Sequence, residues 1–403
     1  MNSQAYLLEA ADIFQGFKSN SSTMNRETEG STLEPKVPFR RKLTFALTIY
    51  LGIILFLVAI EAGARLFLPR LSGLDLFIVT SQQQAQFTDR EQVTIFESDP
   101  LLLWRLKSDL DRVVWDFTIV STNSQNLRSE FLIDKKQPGT TRIVCLGDSV
   151  TFGYRVPAVW PERPTDYDRT ALPYPMLIEK ALQAVNHNRK IEVITMAVPG
   201  YTSHQGLAWL RRDLKSLDPD LVTVSFGWND ASMSDFPDRE TIKTDWPTVT
   251  MRWLVDQSQI FAHATKRLRT WRKPEVPPVI RPAPRVSEKE YLDNMMAIAD
   301  LTQKRGTPLI IIGAPYRDRV TNAPEAKLMT SYRAALKAEA ETRGIPFLEI
   351  LELTEAAYPA NQGWFGELIH PNHLGHRLIA FELLEMLEAQ RLLKNLKIPT
   401  LTP

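Results

Sequence analysis

Hydrophobic and polar positions divide the first third of the chain into three zones. Residues 1–42 are rich in Ser, Asn, Thr and Glu and show no sustained apolar period, which predicts a disordered tail. Residues 43–60 form an uncharged, mostly aliphatic run that is just long enough to cross a bilayer as a helix. Residues 61–140 mix prolines, charges and short β-like pieces such as 113–120, which predicts a small strand-containing collar.

From residue 141 to residue 390 the pattern changes to a regular alternation. Short apolar runs of strand length are separated by amphipathic stretches of helical period. Successive β-α units predict a parallel sheet with helices on both faces, followed by a short tail over 391–403. The predicted strands are 142–146, 191–197, 221–226, 308–313 and 346–350, and the predicted helices are 173–187, 203–217, 288–305, 324–343 and 372–390.

The apolar run 43–60 has two other interpretations, a buried core helix and a cleaved signal peptide. A run that is apolar on every face disfavours the first, and the long region before it disfavours the second, although Ala62-Gly63-Ala64 resembles a cleavage site. We therefore predict a single-pass anchor. More basic residues precede the run than follow it, so the tail is expected in the cytoplasm and the main domain outside. These residues are Lys36, Arg40, Arg41 and Lys42 before the run and Arg65 and Arg70 after it.

Composition narrows the possible partners. The chain has 403 residues, of which 44% are hydrophobic, so a substantial core is available. Lys and Arg number 48 against 47 Asp and Glu, and this balance gives no argument for a nucleic-acid partner. The single cysteine, Cys145, excludes an internal disulfide and lies inside a predicted strand, where it is expected to be a small buried hydrophobe.

Polar residues follow three of the predicted strands and precede the last helix. Ser149, Gly200 and Asn229 come after the first, second and third strands, and His370 stands just before the final helix. Because the carboxyl ends of parallel strands meet at one edge, these residues are expected to lie at a common rim. The alternative is an ordinary strand-to-helix turn, in which Asp148 or Ser149 only caps the next helix.

These residue types suit acyl transfer. A serine hydroxyl becomes a nucleophile when a neighbouring histidine takes its proton, so Ser149 and His370 are the predicted nucleophile and base. Glu367, about one turn upstream, is predicted to accept the other imidazole N–H. The oxyanion would be bound by the N–H groups of Ser149 and Gly200 and by the side-chain amide of Asn229.

The same residues make the chain resemble the SGNH or GDSL hydrolases over about 142–389. The resemblance implies a flavodoxin-like three-layer α/β/α fold with a five-stranded parallel sheet, no metal or other cofactor, and esterase, lipase, deacetylase or acyltransferase activity. Asp148 and Asp230 would be supporting residues of their motifs. The four matching blocks are Gly147-Asp148-Ser149, Gly200, Gly227-Trp228-Asn229-Asp230 and His370-Pro371-Asn372.

Two positions depart from the family pattern. Glu367 stands where the family usually has Asp, and Ala197-Val198-Pro199 replaces a stretch that usually carries Asn. Both departures leave open a second hypothesis, a catalytically silent domain that binds glycans. Fluorophosphonate labelling of Ser149 would discriminate between the two hypotheses.

Histidines near the last helix suggest one further alternative. His370, His373 and His376 recur at every third position, a spacing that can place metal ligands on one helical face. Pro371 suits the first turn of a helix, which would leave His370 outside it. We therefore predict no metal site, and we expect His373 and His376 to be exposed helix residues.

A long insertion, about 231–287, separates the third and fourth blocks. Its segment 253–273 alternates apolar and basic residues and is followed by a Pro-rich stretch. The segment could be a lid that stacks on sugars or leans on anionic headgroups. The interpretation we favour is a helix packed on the domain with a solvated basic face.

Together these patterns predict a membrane-anchored serine esterase whose catalytic domain faces outward. Its expected substrate is an acyl group carried by a glycan or a lipid. The same residues would serve hydrolysis or O-acyl transfer, so the sequence does not separate these two reactions.

Overall fold

We analysed a computed structural model of the chain. Two units contain residues 1–59 and 60–403. The structure describes residues 38–78, 95–158, 170–271, 282–315, 324–350, 363–366, 369–393 and 396–399.

The N-terminal helix α1 spans Phe39–Phe67. Within the described residues it is the one helix that is long and apolar enough to cross a membrane, and large apolar side chains such as Phe45 and Phe56 are exposed on it. It continues seven residues beyond the predicted end at residue 60. The extension contains Ala, Leu and Arg, which favour helix, and an Arg65–Glu61 ion pair of 2.8 Å one turn apart.

The collar contains two hairpins, as its β-like pieces predicted. The predicted strand piece 113–120 is divided by a turn in which Asp116 and Phe117 adopt positive φ. The collar also contains helix, which the sequence pattern did not predict, because α1 extends into it and a one-turn helix follows. The elements are α2 (Gly73–Phe77), β1 (Phe96–Asp99) paired with β2 (Leu103–Leu106), and β3 (Val113–Trp115) paired with β4 (Thr118–Val120).

Five parallel strands form the main sheet, which confirms the predicted fold class. The first of them, β5 (Thr140–Gly147), has every side chain buried and lies between the second and third. The winding direction therefore reverses beside β5, and such a switch point opens a crevice at the carboxyl edge of the sheet. Across the sheet the order is β6 (Lys190–Ala197), β5, β7 (Leu221–Ser225), β10 (Leu309–Ile312) and β11 (Phe347–Leu348), while β8 (Met233–Ser234) and β9 (Ala283–Pro284) form a separate pair.

Helices cover both faces of the sheet. Alternate residues of β5 point into two separate hydrophobic clusters, with Val144 and Leu146 in one and Ile143 and Cys145 in the other. Within the main domain, the ends of the predicted strands and helices agree with the structure to within two residues. The helices after α2 are α3 (Ser149–Phe152), α4 (Tyr174–Val185), α5 (Ser203–Leu217), α6 (Trp228–Ala231), α7 (Asp238–Thr241), α8 (Trp246–Gln257), α9 (Gln259–Trp271), α10 (Glu288–Gln303), α11 (Pro324–Thr342) and α12 (His373–Ala389).

The described part of the insertion packs against the collar. Val255 of α8 and Ala262 of α9 are fully buried in the same cluster as Phe77 of α2. The Gln259 side chain bonds both backbone groups of Leu71, at 2.8 Å each. These contacts fit the packed-helix interpretation of this segment.

Residues beyond α12 also pack on the domain, although the pattern predicted only a tail. Leu393 is buried, and the backbone of Lys397 exchanges two hydrogen bonds with the side chain of Asn186, at 2.8 and 2.9 Å.

Candidate active site

Ser149 lies just beyond the carboxyl end of β5, at the first position of α3. Asp148 caps this short helix, because its carboxylate accepts a 2.9 Å hydrogen bond from Val150 N–H. The capping role of Asp148 and the position of Ser149 at the carboxyl edge of the sheet therefore occur together. A Cβ at Gly147 would lie 2.1 Å from Thr151 Oγ1, so only glycine allows α3 to start this close to the strand.

His370 lies directly against Ser149. Its Nε2 is 2.8 Å from Ser149 Oγ, although 221 residues separate the two in the chain. The segment that carries His370 is held by a 3.0 Å bond from Gly366 N–H to His370 O and by Asn372, whose side chain caps α12. The predicted convergence of hydroxyl and imidazole is thus present in the fold.

Glu367, the predicted acid of the triad, lies outside the described residues. Its hydrogen bond to the imidazole stays a prediction. The described residues nearest to it in the chain are Gly366 and Ile369.

Tyr154 and Asp116 are residues of the site that sequence reasoning missed. The Tyr154 ring lies against the His370 ring, with centroids 4.3 Å apart and planes tilted by 42°. The Tyr154 hydroxyl donates to the Asp116 carboxylate in the β3–β4 turn. The collar therefore forms one wall of the site. No motif marks Tyr154, and its closeness to Ser149 in sequence is the one signal that could have drawn attention to it.

Arg128 of the collar holds the other end of the nucleophile helix. The guanidinium is buried and donates to the carbonyl oxygens of Phe152 and Gly153 at the end of α3. It also reaches Ile119 O in β4 at 3.0 Å and Val156 O at 2.7 Å. A single side chain thus joins the collar to the segment that follows Ser149.

Asn229 bridges the first and second blocks. Its Nδ2 donates to Tyr201 O at 3.1 Å and to Asp148 Oδ2 at 3.3 Å. Burial raises the pKa of Asp148 to about 7, against hydrogen bonds from Val150 and Asn229 that lower it. Gly200, another of the three predicted oxyanion donors, is buried and has a φ of +81°.

Asp230 holds the start of α5, the helix that follows the Gly200 turn. Its Oδ1 accepts from Ser203 N–H at 3.0 Å and from Ser203 Oγ at 2.5 Å, at the start of α5. Burial raises the pKa of Asp230 to about 8. Its predicted supporting role thus has a definite geometry, which is to fasten the helix that follows the Gly200 turn.

His376 is buried, so the prediction that it is an exposed helix residue is wrong. Its Nδ1 accepts from Tyr174 N–H at 3.2 Å, and burial lowers its pKa to about 3, which keeps the ring neutral. Position 376 belongs to the core-facing side of α12 together with Ile379 and Leu383. His373 is exposed as expected. In the described parts of the chain, no three His, Cys, Asp or Glu side chains are grouped as metal ligands would be.

Comparisons with known proteins agree with this arrangement of blocks. A profile of the GDSL-like lipase/acylhydrolase family matches residues 145–378. An arylesterase from Vibrio mimicus is 29% identical over 107 residues, which is 27% of this chain and 46% of that protein, so the match spans less than half of the relative.

Solved structures with a similar fold include two bacterial enzymes. A lipase/acylhydrolase from Enterococcus faecalis is 17% identical over 64% of this chain and 99% of that chain, with a TM-score of 0.40. An acetylxylan esterase from Geobacillus stearothermophilus is 19% identical over 62% of this chain and 95% of that chain, with a TM-score of 0.38. Since the family profile covers more than half of the sequence, the chain belongs to the GDSL-like lipase/acylhydrolase family.

Proposed function

We propose that this protein is a serine ester hydrolase, with Ser149 as nucleophile and His370 as general base. The observation that carries the proposal is the 2.8 Å contact between Ser149 Oγ and His370 Nε2 at the switch point of the sheet. That distance suits transfer of the hydroxyl proton to the imidazole. A binding domain without catalysis would have no need for this contact.

The reaction follows from these two groups. Ser149 Oγ attacks the ester carbonyl carbon while its proton moves to His370 Nε2. When the tetrahedral intermediate collapses, the imidazolium gives that proton to the departing alcohol and the acyl-enzyme remains. Water then attacks the acyl-enzyme with His370 again as base, which releases the acid and restores Ser149.

The negative charge on the intermediate needs hydrogen-bond donors. We assign this role to the N–H groups of Ser149 and Gly200 and to the Asn229 amide. One amide hydrogen of Asn229 is directed at Asp148 over 3.3 Å, which is long for a hydrogen bond, so a developing oxyanion can compete for it. Glu367 is proposed to hold the second imidazole nitrogen.

We further propose that the substrate is an acyl ester of a glycan or lipid that lies close to the membrane, on its extracytoplasmic side. Support comes from the apolar helix α1, which is long enough to span a bilayer. Glu61, one residue beyond the apolar run 43–60, accepts from Ser258 Oγ at 2.8 Å and from Gln259 N–H at 2.9 Å. An N-terminal anchor would restrict the enzyme to substrates near the bilayer.

Labelling with a fluorophosphonate probe tests the nucleophile. Wild-type protein should be labelled at Ser149, as located by mass mapping, and should hydrolyse a short-chain aryl ester. Ser149→Ala should lose both properties with little change in Tm, because the substitution removes one hydroxyl. Ser234→Ala, which alters a buried serine away from His370, is the matched control and should keep both. An active Ser149→Ala variant would refute the assignment.

Cysteine labelling tests the topology in intact cells. The native Cys145 is fully buried, and burial raises its pKa to about 12, so it should not react with a membrane-impermeant maleimide. A cysteine at the exposed Lys304 should be labelled from outside, whereas Ser31→Cys in the tail should be labelled only after the cells are opened. The reverse pattern would contradict the proposed orientation.

Competition between water and an added glycan separates hydrolysis from transfer. Hydrolysis predicts free acid as the product at every acceptor concentration. Acylated glycan that increases with acceptor concentration would instead show that the acyl-enzyme is resolved by a sugar hydroxyl.

A further inference from the structure

The N–H of Gly200 lies in the central peptide of a β-turn, and β-turns of types I and II point this N–H in opposite directions. Tyr201 N–H bonds Val198 O at 3.2 Å, Pro199 occupies the second position, and Gly200 has φ of +81°. These features define a type II turn, which differs from type I by a flip of the central peptide. That peptide contains Pro199 C=O and Gly200 N–H, so the turn type sets the direction in which the proposed oxyanion donor points.

Three successive carbonyl groups of this turn are each held by a side chain from a different part of the chain. In a trans peptide the C=O and the N–H of the next residue point to opposite sides. Holding Pro199 O therefore orients Gly200 N–H, and holding Gly200 O orients Tyr201 N–H and fixes the place of the turn. The three bonds are Trp104 Nε1 to Pro199 O at 3.4 Å, Arg285 Nη1 to Gly200 O at 2.8 Å and Asn229 Nδ2 to Tyr201 O at 3.1 Å.

Arg285 is the charged member of this set and is itself held by Asp238. Its Nε and Nη2 donate to the two carboxylate oxygens at 3.0 and 2.9 Å. The side chains of Arg285 and Asp238 are only 5% and 1% exposed. Asp238 also accepts from Thr202 Oγ1 at 2.7 Å, so the ion pair holds both Gly200 and Thr202.

Stability alone gives little reason for such a pair. Removing two charges from water is costly, and well-packed apolar residues often replace a buried ion pair without loss of stability. A hydrogen bond from a charged donor to a carbonyl oxygen is, however, shorter and stronger than one from a neutral donor. The pair is therefore suited to holding one peptide in one orientation.

We propose that Arg285, oriented by Asp238, is a positioning residue that holds the peptide following Gly200 and so keeps the turn, with its Gly200 N–H, in place beside the developing oxyanion. The inference rests on the proposed esterase function. Asp238 and Arg285 lie near the two ends of the 231–287 insertion and are joined by a 2.7 Å backbone bond from Asp238 N–H to Arg285 O. The insertion thus holds the Gly200 turn through its two ends, and this role differs from that of a lid over the active site.

Kinetics of Arg285→Met with an aryl ester test the proposal. Loss of one oxyanion donor typically lowers kcat by about 100- to 1000-fold, and loss of its positioning alone should lower kcat by about 10- to 100-fold. KM should change by less than about threefold, because the Arg285 side chain is buried behind the turn and is not open to a bound ester. All assays are run well below the Tm of each variant.

Arg142→Met is the matched control. Arg142 is also a buried arginine, paired with Glu192 at 2.7 Å and bonded to Leu217 O at 2.6 Å, but it lies at the opposite end of β5. It should lose stability while keeping kcat within about twofold of wild type. The proposal would be overturned if the Arg285→Met variant kept the kcat of the wild type. It would also be overturned if kcat fell equally in the Arg285→Met and Arg142→Met variants.

Two further variants keep the test decisive if Arg285→Met does not fold. Arg285→Lys retains the buried charge but lacks the planar fork that reaches both carboxylate oxygens and Gly200 O. Because the charge is kept, kcat should fall, but by less than in the Met variant. Asp238→Asn should show the same selective fall in kcat, and unchanged kcat in both would refute the positioning role. Absence of turnover and probe labelling in the wild type would instead refute the proposed function.

Discussion

Gly147→Ala is the perturbation with the clearest structural consequence. The new Cβ would lie 2.1 Å from Thr151 Oγ1, 2.7 Å from Thr151 Cβ and 2.9 Å from Ser225 O. The last of these is backbone of β7, which pairs with Gly147 in the sheet register. Because neither strand can move far, the strain should displace α3, which begins at Ser149.

The expected size of the effect follows from these distances. Ordinary contacts between such atoms are about 3.4 Å or longer, so α3 must move by up to about 1 Å. Overpacking of this kind costs about 1–3 kcal/mol, which lowers Tm by roughly 5 °C in a domain of this size. Misplacement of a reacting group by about 1 Å can reduce the rate about 100-fold. Activity should therefore fall far more than stability.

The assay compares kcat/KM for an aryl ester with Tm for four variants, which are Gly147→Ala, Gly363→Ala, Thr151→Gly and the double variant Gly147→Ala/Thr151→Gly. Gly363→Ala is the control, because a Cβ there meets no atom within 4 Å and should leave both quantities unchanged. Thr151→Gly removes the two closest contacts, so adding it to Gly147→Ala should cost less than the sum of the single changes. A Gly147→Ala variant with wild-type kcat/KM would refute the claim that this close approach positions Ser149.

Further predictions concern titration, the collar and the anchor. Burial raises the pKa of Asp230 from 3.8 to about 8, so the folded state retains a proton that the unfolded state has released, and stability falls as pH rises through that window. Asp230→Asn keeps an acceptor for Ser203 and removes this fall, so its Tm relative to wild type should increase from about pH 4 to about pH 8; a constant difference would contradict the assignment. Tyr154→Leu should lower kcat/KM about two- to tenfold through loss of the ring packed on His370, whereas Tyr154→Phe should retain most activity. Glu61→Gln should lower the free energy of unfolding by about 1 kcal/mol, because it weakens the bonds to the start of α9, and Glu240→Gln, at an exposed pair, should have no measurable effect in the same thermal melts.

Sequence patterns were sufficient to predict the sheet and the meeting of two distant residues. Strands of a parallel sheet read as continuous apolar runs, and their carboxyl ends share one edge, so Ser149 and His370 could be paired across 221 residues. The apolar run that became α1 was predicted for a similar reason, since its length and uniform hydrophobicity are local properties.

Tertiary structure alone decided the surroundings of the residues outside the motifs. His376 looked exposed because histidine is polar, yet its position on the core side of α12 buries it against Tyr174. Tyr154 and Arg285 carry no motif, and their roles arise from contacts with Asp116 and with Gly200 O.

The physical reason for this division is the range of the interactions. Periodicity and motif order are encoded in neighbouring residues, so they survive without knowledge of the fold. A hydrogen bond such as that from Arg285 to Gly200 O joins residues 85 positions apart and depends on where the insertion returns to the sheet. Only the packed chain sets that return path, and with it the position of the turn whose Gly200 N–H we expect to stabilise the oxyanion.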